Sequence, residues 1–272
     1  MNERDMTLDP PWRGNFYDPA LFDANAGDAD DAATLNYYLE HLKGAPCKVL
    51  DVGCGTGRLS MPLIERGHRV HGLELSDSML GYLRAKAERL PEDSRARLSW
   101  RCGNVLELEP EASYDVLVAM DDFVTHFDLD ELARFFARAR EWLMPGGRLL
   151  ADMRERDPAR LEVAARPLPK PMLSHGLSAG IATDAGPVHA AMMGWEEYDP
   201  DNRWLVSHQL FSFIGPDGIE QRREWKTIRQ RNHSNAELLE AARSAGFALV
   251  ESISREGRAP SEQGGLFQWV RR

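Results

Sequence analysis

The stretch Val49-Leu50-Asp51-Val52-Gly53-Cys54-Gly55-Thr56-Gly57 decides the fold of this chain. It opens as an apolar strand interrupted by one carboxylate, Asp51, and ends with glycine at every second position. Glycines leave no side chains over the loop, so the backbone can lie directly against a ligand and take positive φ where needed. The next residues, Arg58–Arg66, read as a helix closed by Gly67, and the free N–H groups of its first turn face the same ligand. A loop built for a pyrophosphate reads G-x-G-x-x-G. This one reads G-x-G-x-G and carries an acid two residues before its first glycine. A carboxylate in that place suits a ligand with an amino group or a positive charge, not a phosphate.

Outward from this turn, apolar runs alternate with amphipathic ones. Strands are predicted at Lys48–Val52, Val70–Leu75, Leu98–Cys102, Tyr114–Met120 and Arg148–Met153. Between them lie a helix capped by Ser76 with Met79, Leu80 and Leu83 on one face, and a helix over Leu129–Leu143 capped by Asp128. Such alternation predicts a parallel, doubly wound α/β sheet. Ligands of these sheets bind beyond the carboxyl ends of the strands, near the switch in strand order. The glycine loop, Glu74, the residues after Cys102 and those after Met120 all fall on that edge.

Before the sheet, residues 1–32 read as an arm anchored by aromatics, followed by a helix over roughly 32–43. After the fifth strand the pattern breaks. Residues 154–188 are rich in proline and glycine and read as a long irregular segment, either a substrate loop or a passive excursion. Three strand-like runs follow, Ala190–Tyr198, Trp204–Ile214 and Ile219–Gln230, joined by turns rich in Asp, Pro and Gly, and they are expected to pair antiparallel. Ser234-Asn235-Ala236-Glu237 has the form of a capping box, Gly246 ends that helix, and Ala248–Ser254 and Leu266–Val270 finish as strands.

The 272 residues, 43% of them hydrophobic, suffice for one large domain with an elaborated cap. A formal net charge of −10 disfavours nucleic acid and anionic lipid as partners. The three cysteines, Cys47, Cys54 and Cys102, have no metal-ligand spacing and no framework of pairs. With no basic-then-apolar leader and no apolar run near the ~18–20 residues that cross a bilayer, the expectation is a cytoplasmic protein with no membrane partner.

The Val49–Gly57 nonamer resembles motif I of the class I S-adenosylmethionine (SAM)-dependent methyltransferases, small-molecule type, and the likeness covers roughly 46–154 and again 234–272. It implies a Rossmann-like seven-stranded sheet of order 3-2-1-4-5-7-6, last strand antiparallel, with an antiparallel three-stranded insertion after the fifth strand. The corresponding division is an arm and helix over 1–45 covering the cofactor, a core of 46–153 and 232–272, and an inserted lid or cap over 154–231.

The resemblance makes SAM the cofactor and S-adenosylhomocysteine the product. It implies that Gly53, Cys54, Gly55 and Gly57 let the backbone approach the methionyl end. Asp51 either accepts its amino group or ties down loop N–H groups. Glu74, 23 residues on and beside Leu75, corresponds to the ribose-binding acid. Met79 reads as an adenine contact or as core. Asn104 stands where the family usually has an acid, yet its carbonyl oxygen can accept from the adenine amino group, beside the Val105 N–H. Met120 closes the fourth strand. Tyr17, followed by Asp18, resembles a Tyr-Asp that closes over SAM, or is an apolar anchor.

Methyl transfer from a sulfonium is an in-line displacement governed by alignment, and a general base is needed only where the nucleophile keeps its proton. The loop Met120–Phe127 holds Asp121, Asp122 and His126. His126 matches a family position before the next helix and reads as a base, a substrate partner or a packing residue. No metal is expected, since hard-metal sites need more oxygen ligands than this loop offers. In the insertion Trp195, Tyr198, Trp225 and Arg229 are the candidate substrate-binding residues, the alternative being a solvated strand face; a homodimer contact through the insertion is also possible. The leading reading is transfer to nitrogen or oxygen of a small molecule. The competitors are a non-catalytic SAM-binding or scaffolding protein and a nicotinamide-dependent oxidoreductase, the last disfavoured because G-x-G-x-x-G is absent.

Overall fold

The computed structural model describes residues 18–25, 29–178, 180–183, 186–254 and 262–272. In chain order the first elements are helices α1 (Pro19–Asn25) and α2 (Ala29–His41), strand β1 (Lys48–Val52), helix α3 (Ser60–Glu65) and strand β2 (Arg69–Glu74). Then come α4 (Asp77–Ala87), the short α5 (Glu92–Arg95), β3 (Leu98–Cys102), β4 (Tyr114–Ala119), a single 3-10 turn over Phe123–His126, α6 (Leu129–Trp142) and β5 (Leu143–Met153). The remainder is α7 (Pro158–Ala165), β6 (Leu173–His175), β7 (His189–Asp199), β8 (Trp204–Ile214), β9 (Glu220–Arg231), α8 (Asn235–Ser244), β10 (Phe247–Ile253) and β11 (Gly265–Arg271).

Seven strands form one sheet in the order β10-β11-β5-β4-β1-β2-β3, the predicted 3-2-1-4-5-7-6 when the inserted strands are left out. Strands β1 to β5 are parallel, and β11 runs antiparallel to both β5 and β10. Strand β1 pairs with β2 on one side and β4 on the other, so the order reverses there and the two following connections diverge to opposite faces. Side chains alternate across the sheet accordingly. Leu50, Val52, Leu117 and Ala119 face a core shared with α6 and α8, whereas Val49, Val116 and Val118 face a second core shared with α2, α3 and α4.

Helix α6 starts where its capping box demands: Asp128 accepts from the Glu131 N–H at 2.8 Å, and the Glu131 side chain returns to the Asp128 N–H at 3.1 Å. Its stripe of Leu132, Phe135, Phe136, Ala139 and Trp142 is buried to the last residue.

The insertion differs from expectation in two ways. Its sheet has four strands, because β6 adds three residues to the outer edge of β7. The segment read as irregular also contains α7, nucleated by an Asp157 cap bonded to the Ala159 N–H at 2.9 Å with Pro158 in the first turn. The fifth strand begins at Leu143, five residues before Arg148, since Leu143 already pairs with Tyr114 ahead of a register shift. The arm carries a helix, α1, whose Leu21 packs with Val188, Ala190 and Phe213 of the inserted sheet. Among the described residues no helix is long and apolar enough to cross a membrane.

Phe136 is fully buried and meets Phe135, Phe247 and Trp269 edge-on, joining α6 to β10 and β11. Phe136→Ala is expected to cost about 3–5 kcal/mol, read by urea denaturation. A loss below about 1 kcal/mol would show that this face does not hold the sheet to its helices.

Candidate active site

A cavity of about 620 Å3 opens at the carboxyl edge of β1, β2 and β4, within the usual range for small-molecule sites. The glycine loop forms its floor. Gly53, Gly55 and Gly57 have φ of 71°, 53° and 85°, a region that side chains oppose. A Cβ on Gly53 would stand 2.5 Å from the Phe123 ring, and one on Gly57 would stand 2.5 Å from Leu83. The N–H groups of Gly53 and Cys54 both donate to the Leu73 carbonyl, at 2.8 and 3.1 Å, which pins the loop to β2. Cys54 turns down into the sheet, where Gly72 leaves room for its sulfur; a Cβ on Gly72 would lie 2.6 Å from it.

Asp51 is buried under the loop at 2% exposure and accepts from the Ser60 hydroxyl at 2.6 Å. Burial raises its carboxyl to about 7; the Ser60 bond opposes this, and the nearby acids Glu74 and Asp121 add to it. Glu74 ties the loop to the turn after β2. One carboxylate oxygen accepts from the Gly55 N–H at 3.0 Å, the other from the N–H groups of Leu75 and Ser76, both at 2.9 Å. Burial raises Glu74 too, against the three N–H bonds. Asn104 spends its carbonyl oxygen on the Leu106 N–H at 3.0 Å and its amide on Glu107 at 3.3 Å. Leu75, Met79, Asn104, Val105 and Met120 all line the cavity with Asp51 and Glu74.

At the other end the loop after β4 makes a double left-handed turn: Asp121 and Asp122 have φ of 65° and 60°. Asp121 is engaged by the Arg58 guanidinium. Asp122, 3% exposed, is engaged by the Arg154 N–H, by the Arg154 side chain at 3.3 Å and by Arg156 at 3.2 Å. Arg156 also donates to Gln230 at 2.9 Å, and Gln230 donates to the Thr125 hydroxyl at 3.1 Å, which brings β9 into the wall. His126 lines the same end, with Nδ1 3.3 Å from the Arg229 carbonyl oxygen. Burial lowers its pKa; the carbonyl and Asp122 oppose this, and Arg156 adds to it.

Over the mouth, α1 links the parts. Asp23 accepts from the Thr56 hydroxyl of the glycine loop at 2.5 Å and pairs with Lys86 of α4 at 2.6 Å. Asp18 pairs with Arg222 of β9 at 2.7 Å, and Phe22 lines the cavity. Tyr17 lies outside the described residues.

The structure thus gathers the described cofactor-site residues around the cavity, apart from Gly57, which braces the loop against α4. It does not gather the four aromatic and basic residues expected to bind substrate. Trp195, Tyr198, Trp225 and Arg229 are absent from the cavity wall. Trp195 and Trp225 pack on each other at 5.3 Å, and the Arg229 guanidinium covers the Trp204 ring at 3.8 Å, on the face of the inserted sheet opposite Gln230. Tyr198 shares the face of Gln230 but stands two strands away. The wall residues that sequence reasoning missed are Phe22, Arg58, Arg154, Arg156 and Gln230. Arg154 and Arg156 directly follow β5, so the carboxyl-edge rule that singled out Glu74 also reaches them. Among the described residues no group of three or more His, Cys, Asp or Glu is placed to hold a metal ion.

A cradle without side chains, the acids Asp51 and Glu74, and the apolar Leu75, Met79 and Val105 in the same wall suit a ligand with a cationic amino-acid end, a ribose and an adenine. Known proteins agree. Residues 49–147 match the model of a methyltransferase domain family. A protein of Geobacillus sp. (strain WCH70) assigned as a methyltransferase is 27% identical over 217 residues, 79% of this chain and 80% of that one. The CcbJ methyltransferase from Streptomyces caelestis is 26% identical with a TM-score of 0.68, over 91% of this chain and 98% of that one. An S-adenosylmethionine-dependent methyltransferase from Clostridium acetobutylicum shares the fold, with a TM-score of 0.69 at 15% identity over 90% of this chain and 93% of that one. Together these likenesses support a class I SAM-dependent methyltransferase with SAM as its cofactor.

Proposed function

We propose that this methyltransferase acts on a nitrogen or oxygen of a small-molecule acceptor and that His126 takes the acceptor's proton. The observation that carries this reading is the state of the imidazole. A carbonyl oxygen only accepts, so the contact with Arg229 puts the hydrogen on Nδ1 and makes Nε2 the basic nitrogen. Burial keeps the ring neutral at pH 7, the form able to receive a proton. Asp121 and Asp122 are engaged by arginines and serve to orient rather than to accept protons.

For the cofactor, we assign Asp51 to the ammonium group and Glu74 to the ribose hydroxyls. The backbone of Gly53, Cys54, Gly55 and Gly57 borders the methionyl end; Leu75, Met79, Asn104 and Val105 border the adenine; Met120 borders the sulfur. When bound, SAM supplies a methyl group already activated on a sulfonium. Alignment and exclusion of water then carry the catalysis, and Phe22 and Phe123 in the cavity wall exclude water. Of the segment 1–45, α1 covers the cofactor through Phe22, and 154–231 supply Arg154, Arg156 and Gln230 to the acceptor wall.

The test is incubation with methyl-labelled SAM across a panel of amines, amino sugars, phenols and alcohols, read by mass spectrometry. Label found only on protein or nucleic acid would overturn the reading. His126→Gln is expected to lower turnover by about 10²–10⁴ with unchanged SAM affinity. Wild-type turnover should fall as pH drops through the lowered His126 pKa, below the usual 6.5. An acid limb that survives in the variant assigns it elsewhere.

Asp51→Ala and Glu74→Ala should each weaken SAM severely in calorimetric titration while leaving the protein folded; wild-type affinity refutes the assignment. Asp51 also gives a pH signature. Its folded pKa of about 7 lies above the ordinary 3.8, so its contribution to stability is full below that ordinary value and lost as pH rises through about 7. Without SAM, the wild type should therefore lose stability relative to Asp51→Asn as pH rises through this window, and SAM should restore it. Parallel denaturation midpoints would remove the assignment.

A further inference from the structure

The fifth strand carries a charge in an otherwise apolar run, Leu149-Leu150-Ala151-Asp152-Met153, with Asp152 fully buried. Burying a carboxylate is costly unless donors surround it. Here two of the donors are consecutive backbone amides of one turn. Because Ala151 pairs with Ala119, Asp152 stands level with the point where β4 ends and the next loop begins. Its Oδ1 accepts from the Asp121 N–H at 2.8 Å and its Oδ2 from the Asp122 N–H at 3.2 Å. The Tyr38 hydroxyl of α2 donates to Oδ1 at 2.8 Å, with the Ala119 carbonyl 3.2 Å away.

These two amides belong to consecutive non-glycine residues at positive φ, a pairing that persists only where the surroundings over-determine it. The Asp122 carbonyl, aimed by the same turn, then receives the Thr125 N–H at 2.8 Å and the Thr125 hydroxyl at 2.7 Å, which starts the single turn ending in His126. We propose that Asp152, steadied by Tyr38, is the positioning residue of the methyl-transfer step: its carboxylate clamps the Asp121–Asp122 turn and thereby sets where His126 meets the acceptor. The inference rests on the reading of His126 given above. A carboxylate is required, because an amide offers one oxygen and one NH2, and the NH2 would face a backbone donor.

The test compares wild type, Asp152→Asn and Tyr38→Phe in three measurements: amide resonances and hydrogen exchange of Asp121 and Asp122 by NMR, SAM affinity by calorimetry, and turnover on the fastest acceptor of the labelled panel. In Asp152→Asn both amide protons should move upfield and exchange faster, SAM affinity should stay close to wild type, and turnover should fall by about 100-fold. Tyr38→Phe should act in the same direction by about three- to tenfold, which keeps the proposal testable where Asp152→Asn fails to fold. Unchanged amide resonances, or turnover that falls only in step with SAM affinity and thermal midpoint, would overturn it. If the wild type methylates no nitrogen or oxygen acceptor, the reading of His126 fails. The amide resonances then still judge the clamp: a shift supports it and no shift defeats it.

Discussion

The double pairing of β1, with β2 on one side and β4 on the other, is the constraint on which the cleft depends. Parallel strands must return through crossovers, and because the strand order reverses at β1, the crossover that reaches β2 and the one that reaches β4 lie on opposite faces of the sheet. The gap between them is where the glycine loop can leave the sheet with nothing above it. The rest follows from filling that gap's edges: Glu74 at the end of β2 holds the loop on one side, and the turn after β4 closes the other.

The charge pattern inside the cleft follows from that geometry. Four acids, Asp51, Glu74, Asp121 and Asp122, converge on one edge, and repulsion among them would push the loops apart. Each is met by a fixed donor: the Ser60 hydroxyl, three backbone N–H groups, Arg58, and the Arg154 and Arg156 pair. The donors differ in strength. The two loop acids face full guanidinium charges, whereas Asp51 has a neutral hydroxyl and stays raised. That shortfall is the reason Asp51 is proposed to meet the ammonium group of the cofactor. A chain with net charge −10 thus concentrates arginine where its own acids crowd together.

How far the sequence could be read depended on the range of the interaction. The alternation of strands and helices, the glycine turn and Glu74 are encoded within a few residues of themselves, by periodicity, turn chemistry and strand ends, whereas the sheet order came with the family resemblance. The caps at Asp128 and Ser234 were readable for the same reason. The part of the cavity wall that the insertion supplies was not. Gln230 and Arg156 reach the cavity only because a sheet inserted after β5 folds back over the turn at Phe123–His126, and no local signal states that docking. Trp225 and Arg229 stand one residue of parity from the cavity face: alternation groups the side chains of β9 correctly, but an isolated strand carries no mark of which face meets the core. Aromatic content pointed to the face turned away from the cavity, where Trp195, His208 and Trp225 pack on one another and Arg229 covers Trp204.

Cys54 carries a last consequence. Its thiol occupies the space that Gly72 leaves in β2, covered by the glycine loop to which it belongs. Burial pushes the thiol up, with the charges of Asp51 and Glu74 adding to it, so it stays protonated and unreactive while the loop is seated. Cys102 at the end of β3 is exposed, and Cys47 is half-buried. The chain therefore contains its own chemical gauge. Burial and the charges of Asp77 and Glu74 raise the Cys102 thiol too, but an alkylating reagent reaches it without any rearrangement and reaches Cys54 only if the loop leaves the sheet, so the ratio of the two modifications reports how firmly the glycine loop is seated.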